Sequence, residues 1–117
     1  MDEGKNGFHV HTLGDLTEGC LAAAGHYNPE NMNHGGPDDE VRHHGDMGNI
    51  MSDGINPATY DKEDNLLQLY GEYSIIGRSV MVHAGEDDLG KGGDAGSLST
   101  GNAGSRLACG TIVLTSP

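Results

Sequence analysis

The feature that most constrains this chain is a set of histidines and one aspartate spaced as metal ligands. His9 and His11 are two residues apart, so on an extended strand both rings point to the same face. The other candidates occupy a long Gly/Asn/Pro-rich stretch and one later segment: His26, His34, His43, Asp46 and His83. Histidine is the commonest transition-metal ligand among side chains, and a long ordered loop in a compact domain needs something to pin it. The spacing therefore predicts a site for two metal ions.

Composition favours a small all-β protein. A chain of 117 residues can form one domain with a modest core, and we expect residues 1–117 to be that domain. Twenty glycines and few aromatic residues suit short strands joined by turns better than a helical bundle. The formal charge of −12 argues against partners such as nucleic acids or acidic membranes.

Periodicity and turn residues predict about five strands and two long loops. The predicted strands are residues 7–13, 46–52, 58–62, 78–84 and 106–115, although Pro57 weakens the start of the third. Residues 65–69 fit either a short helical turn or a connection between strands. The loops are residues 14–42 and 85–105. Short strands with large loops predict an antiparallel β-sandwich or barrel whose loops carry the function.

The two cysteines, Cys20 and Cys109, leave their redox state open. No apolar run approaches the ~20 residues that cross a bilayer, and no signal-peptide pattern follows Met1. The default compartment is therefore the cytoplasm, with a secreted form as the alternative. In a cytosolic chain the prior favours two free thiols. If the two residues are joined, the chain-entropy model assigns the bridge roughly 4–5 kcal/mol.

Six motifs, taken in order, resemble the copper/zinc superoxide dismutase family: FHVH, AGHYNP, HGGP, RHHGDMGN, VHAGEDDLGKGG and GNAGSRLACG. Together they cover nearly the whole chain, and each carries an expected ligand or loop residue. The resemblance implies a Greek-key β-barrel or sandwich. It also implies an oxidoreductase that converts superoxide to oxygen and hydrogen peroxide with copper and zinc as cofactors, usually as a homodimer.

The resemblance implies two sets of metal ligands that share one member. The copper set is His9, His11, His26 and His83. The zinc set is His26, His34, His43 and Asp46. The chemistry of the donors agrees, since an all-imidazole set suits copper and a set of three nitrogens with one carboxylate suits structural zinc.

The resemblance also implies roles for residues around the metals. His26 bridges the two metals and supplies a proton during a two-step redox cycle at copper. Asp87 links a copper ligand to a zinc ligand, and such outer partners fix the orientation of imidazoles. Arg106 binds the anionic substrate, and Cys20 and Cys109 form a disulfide within the chain.

Other polar and sulfur-bearing residues near these motifs are expected to have ordinary roles. His44 matches no ligand of the family, so we expect a ring exposed to solvent. The acidic run at residues 38–40 is expected to be solvated surface. The methionine sulfurs are expected to pack rather than bind copper: Met32, Met47, Met51 and Met81.

The chain departs from the family pattern at its start and in its second loop. The family carries three antiparallel strands before FHVH, so we expect either an N-terminally truncated form or an assembly in which a partner copy completes the missing strands. Ala95, Gly96 and Ser99 stand where the family places paired glutamates and a lysine. Arg106 and Lys91 then remain as the local positive charges, which predicts a slower rate with a different salt dependence.

Two alternatives to an active enzyme stay open at this point. The first is a metal-binding isoform or fragment with little or no turnover. The second is a regulatory isoform that pairs with a full-length subunit.

Overall fold

The computed structural model describes residues 1–115 and places four strands in one antiparallel sheet. The strands are β1 (Gly4–His11), β2 (Asp46–Ser52), β3 (Ser79–His83) and β4 (Arg106–Thr111). Their order across the sheet is β2-β1-β3-β4, and among the described residues this sheet does not close into a barrel. The prediction of an all-β antiparallel protein with two long loops is confirmed. No described helix is both long enough and apolar enough to span a membrane.

Strand β1 lies inside the sheet and sets the register of the ligands. It pairs with β2 on one side, where His9 lies opposite Asp46, and with β3 on the other, where His9 lies opposite Met81. An irregularity in the β1–β2 pairing falls between Gly7 and His9. Because alternate residues of a strand face the same way, His9 and His11 share one face of the sheet.

The predicted strand at residues 58–62 is wrong. That segment has no strand conformation, and no described strand runs beside it to accept or donate ladder hydrogen bonds. Pro57 also lacks the N–H that a paired strand donates. Tyr60 holds the segment instead, because its ring packs 5.0 Å from that of Phe8 and its hydroxyl donates to the Met47 carbonyl at 2.6 Å.

The predicted strand at residues 46–52 matches β2, whereas the other predicted elements differ from the structure at their ends. β1 begins three residues earlier than the predicted 7–13 strand, and β4 stops short of the predicted residue 115. Residues 65–69 form bends and a single bridge from Gln68 to Ser74 rather than a helical turn. A 3-10 turn, Cys20–Ala23, lies inside the first loop and was not predicted.

The interior holds more polar than apolar side chains. The buried apolar residues are Val10, Ala23, Tyr27, Ile50, Met81 and Ala103. Met81 therefore packs as expected, whereas Met32 and Met51 are 38% and 59% exposed and do not. Buried polar groups require hydrogen-bond partners or ions, so the polar interior marks the face of the sheet where the candidate site lies.

Candidate metal centre

The residues predicted as ligands converge into two buried groups. In each group, one ligand atom per residue lies within 4.8 Å of the others. The first group, called the imidazole group below, is His9, His11, His26 and His83. The second, called the carboxylate group, is His26, His34, His43 and Asp46. The strands supply most of the imidazole group. The connection between β1 and β2, residues 12–45, is called the first loop from here on, and it supplies every histidine of the carboxylate group.

Each strand histidine of the imidazole group uses one ring nitrogen to bind the protein. His9 Nε2 donates to Asp87 Oδ2 at 2.6 Å. His11 and His83 donate from Nδ1 to backbone carbonyls at 2.8 and 3.1 Å. The other nitrogens remain: His9 Nδ1 is buried without a partner among the described residues, and the Nε2 atoms of His11 and His83 lie 3.4 Å apart. These three nitrogens therefore have available lone pairs and lie close together.

The carboxylate group is organised around Asp46, the first residue of β2. Asp46 Oδ1 lies 3.1, 2.9 and 3.3 Å from the Nδ1 atoms of His26, His34 and His43. Asp46 Oδ2 accepts from the backbone N–H of Gly35 at 3.0 Å and of His43 at 2.8 Å. The backbone thus fixes one carboxylate oxygen and leaves the other among three imidazole nitrogens.

His26 belongs to both groups through opposite sides of its ring. Its Nδ1 faces Asp46, whereas its Nε2 is buried with no hydrogen-bond partner in residues 1–115. Its ring centroid is 4.0 Å from that of His9. His34 Nδ1, although close to Asp46, likewise makes no hydrogen bond. Buried nitrogens without partners are costly, and metal ions in the two groups would satisfy them. The residues therefore fit a copper ion and a zinc ion.

Asp87 joins the two groups from the second loop. Its two oxygens accept from His9 Nε2 at 2.6 Å and from His34 Nε2 at 2.7 Å, the two histidines that the resemblance to the family associates with it. Asn49 holds Asp87 through two hydrogen bonds to its backbone, at 2.7 and 3.0 Å, and nothing in the sequence pointed to it. Gly101 has a φ of 75° and a Cβ there would collide with Asp87 Oδ1, so only glycine fits.

A cavity of about 600 Å³ opens beside the imidazole group. His11, His26 and His83 line it together with Arg106, which is the only lysine or arginine among its described lining residues. Lys91, expected to contribute charge here, does not line it. Arg106 is oriented by donating from Nη1 and Nη2 to two carbonyls of the first loop at 2.8 and 2.7 Å.

A disulfide connects Cys20 in the 3-10 turn to Cys109 in β4. The pairing that the resemblance implied is therefore confirmed, and the general expectation of two free thiols is wrong. The bridge also helps to place Arg106, because the Cys20 carbonyl is one of the two that accept from its guanidinium.

The comparison with known proteins agrees with this geometry. Residues 1–112 match the family model described as copper/zinc superoxide dismutase. The chain belongs to that family. It is 58% identical over 106 residues to a protein named superoxide dismutase (Cu-Zn) from Kluyveromyces lactis. That alignment covers 91% of this chain and 68% of the relative. A protein of the same name from Yarrowia lipolytica is 57% identical over 111 residues, covering 95% and 72%.

One further relative has a name that states where the protein is located. An extracellular superoxide dismutase (Cu-Zn) from Caenorhabditis elegans is 57% identical over 109 residues, covering 93% of this chain and 49% of that relative.

Burial prepares the imidazole group of this family member to bind a metal. Desolvation lowers the pKa of His11 to about 3 and that of His26 to about 3. It also lowers the pKa of His9 and of His83, against the opposing effects of Asp87 and of a backbone carbonyl. All four rings are therefore neutral at pH 7, which is the form that binds metal ions.

The carboxylate group carries charge in the metal-free protein. Burial opposes ionisation of Asp46, but its close contacts with three imidazoles outweigh this effect and hold the pKa of Asp46 far below its usual range. Burial also opposes protonation of His34, but contacts with Asp46 and Asp87 outweigh it and raise the pKa of His34 to about 9. In the same way, His34 and His9 lower the pKa of Asp87 to about 2.

Of two buried residues next to the ligands, one differs from expectation and the other was not identified from the sequence. His44, predicted to be exposed, is only 2% exposed, and its Nε2 donates to Glu30 Oε1 at 2.6 Å. Arg42 is equally buried: it pairs with Asp64 at 2.7 Å and donates to the backbone carbonyls of His43 and His44 at 3.0 and 2.8 Å. No motif in the sequence identified this clamp, because its partner is remote in the chain.

Proposed function

We propose that this chain dismutates superoxide at copper held by the imidazole group, with zinc held by the carboxylate group. The observation that carries the proposal is His26, whose two ring nitrogens face different groups. A single imidazole in this position can bridge two metal ions. Family membership supplies the reaction, in which superoxide is converted to oxygen and hydrogen peroxide, and supplies copper and zinc as the cofactors.

Arg106 is the group that we assign to substrate binding. Its guanidinium is always charged and has five N–H donors, of which only some are used by the two loop carbonyls. The remaining donors can bind a small anion in the cavity beside His11, His26 and His83. When bound, copper would supply the one-electron redox couple, and zinc, which has no redox chemistry, would stabilise the loop.

His26 is the group that we assign to proton transfer. It lines the cavity, and its Nε2 makes no other hydrogen bond among the described residues, so a proton at that atom can be donated to a bound anion. Its Nδ1 stays among the carboxylate group. Asp87 fixes His9 and His34 in the orientations that leave their Nδ1 atoms available.

Metal analysis combined with a dismutase assay tests these assignments. We expect one copper and one zinc per chain. His83→Ala should lose copper and activity while retaining zinc, because His83 belongs only to the imidazole group. His34→Ala should lose zinc while retaining copper, because His34 belongs only to the carboxylate group. A chain that binds zinc but dismutates no superoxide would favour the alternative of a metal-binding isoform.

We also propose that the chain assembles as a homodimer. The resemblance to the family places the interface at the segments around Gly14, residues 76–77 and the C-terminal strand. These segments lie together, because Thr111 donates to the Gly14 carbonyl at 2.7 Å and Gly14 packs so tightly against Gly77 that a Cβ would collide with its carbonyl. Next to them, Leu13 is 50% and Val113 63% exposed. Light scattering of the purified chain measures its mass, and a monomeric mass at micromolar concentration would contradict the proposal.

For its organisation and compartment, we propose a single domain over residues 1–117 that acts in the cytoplasm. The family match over residues 1–112 and the single sheet support one domain. Ser116 and Pro117 lie outside the described residues. A single cooperative unfolding transition is expected, and fractionation of cells that express the chain tests the compartment against the secreted alternative.

A further inference from the structure

His44 is a buried polar side chain that the two ligand groups do not use. Its Nε2–H donates to Glu30 Oε1 at 2.6 Å, and its side chain is 3% exposed whereas that of Glu30 is 51% exposed. Its Nδ1 is buried and has no hydrogen-bond partner within residues 1–115. The ring edge packs against Tyr27 and Tyr73, at centroid distances of 6.0 and 5.2 Å.

The pair joins two parts of the first loop that carry different ligands of the carboxylate group. Glu30 lies between His26 and His34 in the sequence, whereas His44 lies between His43 and Asp46. The contact between Glu30 and His44 is therefore a side-chain tie across the loop that holds the zinc ligands. Its contact with Tyr27 extends the tie to the residue that follows the bridging His26.

The strength of this tie follows from its burial. A hydrogen bond to a charged carboxylate is stronger than a neutral one, and removing Glu30 would leave both nitrogens of a buried imidazole unsatisfied. The loop would then have to reorganise to hydrate His44, and this would move the residues on either side of it. Ligands held in place before binding need less ordering when the ion binds, which favours affinity and slow release.

We propose that Glu30 and His44 are positioning residues that set how long the carboxylate group retains zinc. This inference rests on the proposed assignment of zinc to that group. The pair contacts neither the imidazole group nor the cavity, so it acts on zinc retention and not on copper retention.

Zinc release from the copper- and zinc-loaded full chain tests the proposal, with a chromogenic chelator as the probe. In Glu30→Ala we expect zinc release about 10-fold faster, at the lower end of the effect of losing an outer partner of a metal ligand. Copper release, followed in the same samples, should stay within about twofold of the parent chain because the tie does not reach the imidazole group. In Glu30→Gln the amide oxygen can still accept from Nε2–H, so most of the retention should be recovered.

Two further variants separate a specific tie from general loosening. In a double-mutant cycle, Glu30→Ala with His44→Phe should release zinc no faster than the quicker single variant, because both remove one interaction. Lys62→Gln is the matched control, since it breaks the exposed Lys62–Asp38 pair, whose atoms lie 3.0 Å apart, and should leave zinc release unchanged.

The outcomes distinguish this proposal from the one on which it rests. A parent chain that binds no zinc would overturn the assignment of the zinc site and this inference with it. A parent chain that binds zinc, together with a Glu30→Ala variant that releases it at the parent rate, would overturn the role of the pair alone. Equal acceleration of copper and zinc release would also overturn it.

Discussion

The two ligand groups of this site are built on different kinds of structure. Three of the four residues in the imidazole group lie on β1 and β3, where the sheet ladder fixes the backbone. The carboxylate group takes three of its four residues from the first loop, whose backbone has few regular hydrogen bonds. Side-chain hydrogen bonds stabilise that loop. Asp46, Arg42 and Asp87 each connect two or more segments of the chain.

This difference in backbone structure indicates which ligand group depends on long-range contacts. A strand holds its side chains in place through its neighbours on either side, so single substitutions in the first loop, other than at the shared His26, should disturb the imidazole group little. The first loop has less of this support, because backbone hydrogen bonds tie only a few of its residues, such as Tyr27 and Gly45, to β1. The rest of its geometry should follow the disulfide, the buried carboxylates and the metal itself. The following predictions test this contrast, from the largest expected effect to the smallest.

Loss of the disulfide should give the largest effect, because it ties the first loop to β4 over a sequence separation of 89 residues. We expect the free energy of unfolding to fall by about 2–5 kcal/mol. Urea denaturation of the metal-free chain with and without reductant measures the change. The variant Cys20→Ser with Cys109→Ser serves as the control, since reductant should not alter its stability. Equal stability of the oxidised and reduced chains would contradict the prediction.

Asp87→Asn should weaken metal binding by both groups, because Asp87 contacts one histidine of each. This variant would therefore not show the expected difference between the strand-borne and the loop-borne group. An amide can accept from one imidazole N–H but presents a donor to the other, so either His9 or His34 loses its partner. We expect a loss of roughly 10–100-fold in zinc affinity, measured by competition with a chelator. Glu86→Gln removes the same charge from the adjacent exposed residue and should bind zinc as the parent does.

Proton release on metal binding should differ between the two groups. His34 has its pKa raised to about 9, so it is protonated at pH 7 and must lose a proton to bind zinc. Zinc affinity should therefore rise with pH, about tenfold per unit, up to about pH 9. His11 and His26, each with a pKa of about 3, are already neutral.

Titration of the metal-free chain in weak buffer with a pH indicator measures this difference. We expect about one proton released per zinc bound to the carboxylate group at pH 7.5. A zinc affinity that does not change between pH 6 and pH 8 would show that His34 is neutral before zinc binds.

The smallest effect concerns the approach of substrate to the cavity. Ser99 is exposed at a cavity that has Arg106 as the only lysine or arginine among its described lining residues, in a chain of charge −12. Ser99→Lys should raise the rate with superoxide a few-fold at low ionic strength, and added salt should reduce the gain. Stopped-flow rates at several salt concentrations test this against Asn65→Lys, which adds the same charge away from the cavity.

The sequence predicted the metal-bearing part of the molecule better than the rest. The ligand sets and Asp87 were predicted from six motifs that resemble one family, and the structure places these residues in three overlapping groups of close donor atoms. The strand at residues 58–62 was wrong because local propensity says nothing about whether a neighbouring strand is present. His44 was predicted to be exposed because its partner, Glu30, and its aromatic neighbours are distant in the sequence.

The division of the ligands into an imidazole set and a set with one carboxylate was implied by the resemblance to the family. By itself, the sequence determined which donor side chains are available and that His9 and His11 share one face of a strand. These depend on residue type and on the alternation of a strand, which are local properties. Only the tertiary structure decided which nitrogen of each ring is free, because that depends on the carbonyl or carboxylate that holds the opposite nitrogen. Those partners come from loops remote in the chain, and no local pattern encodes where a loop returns.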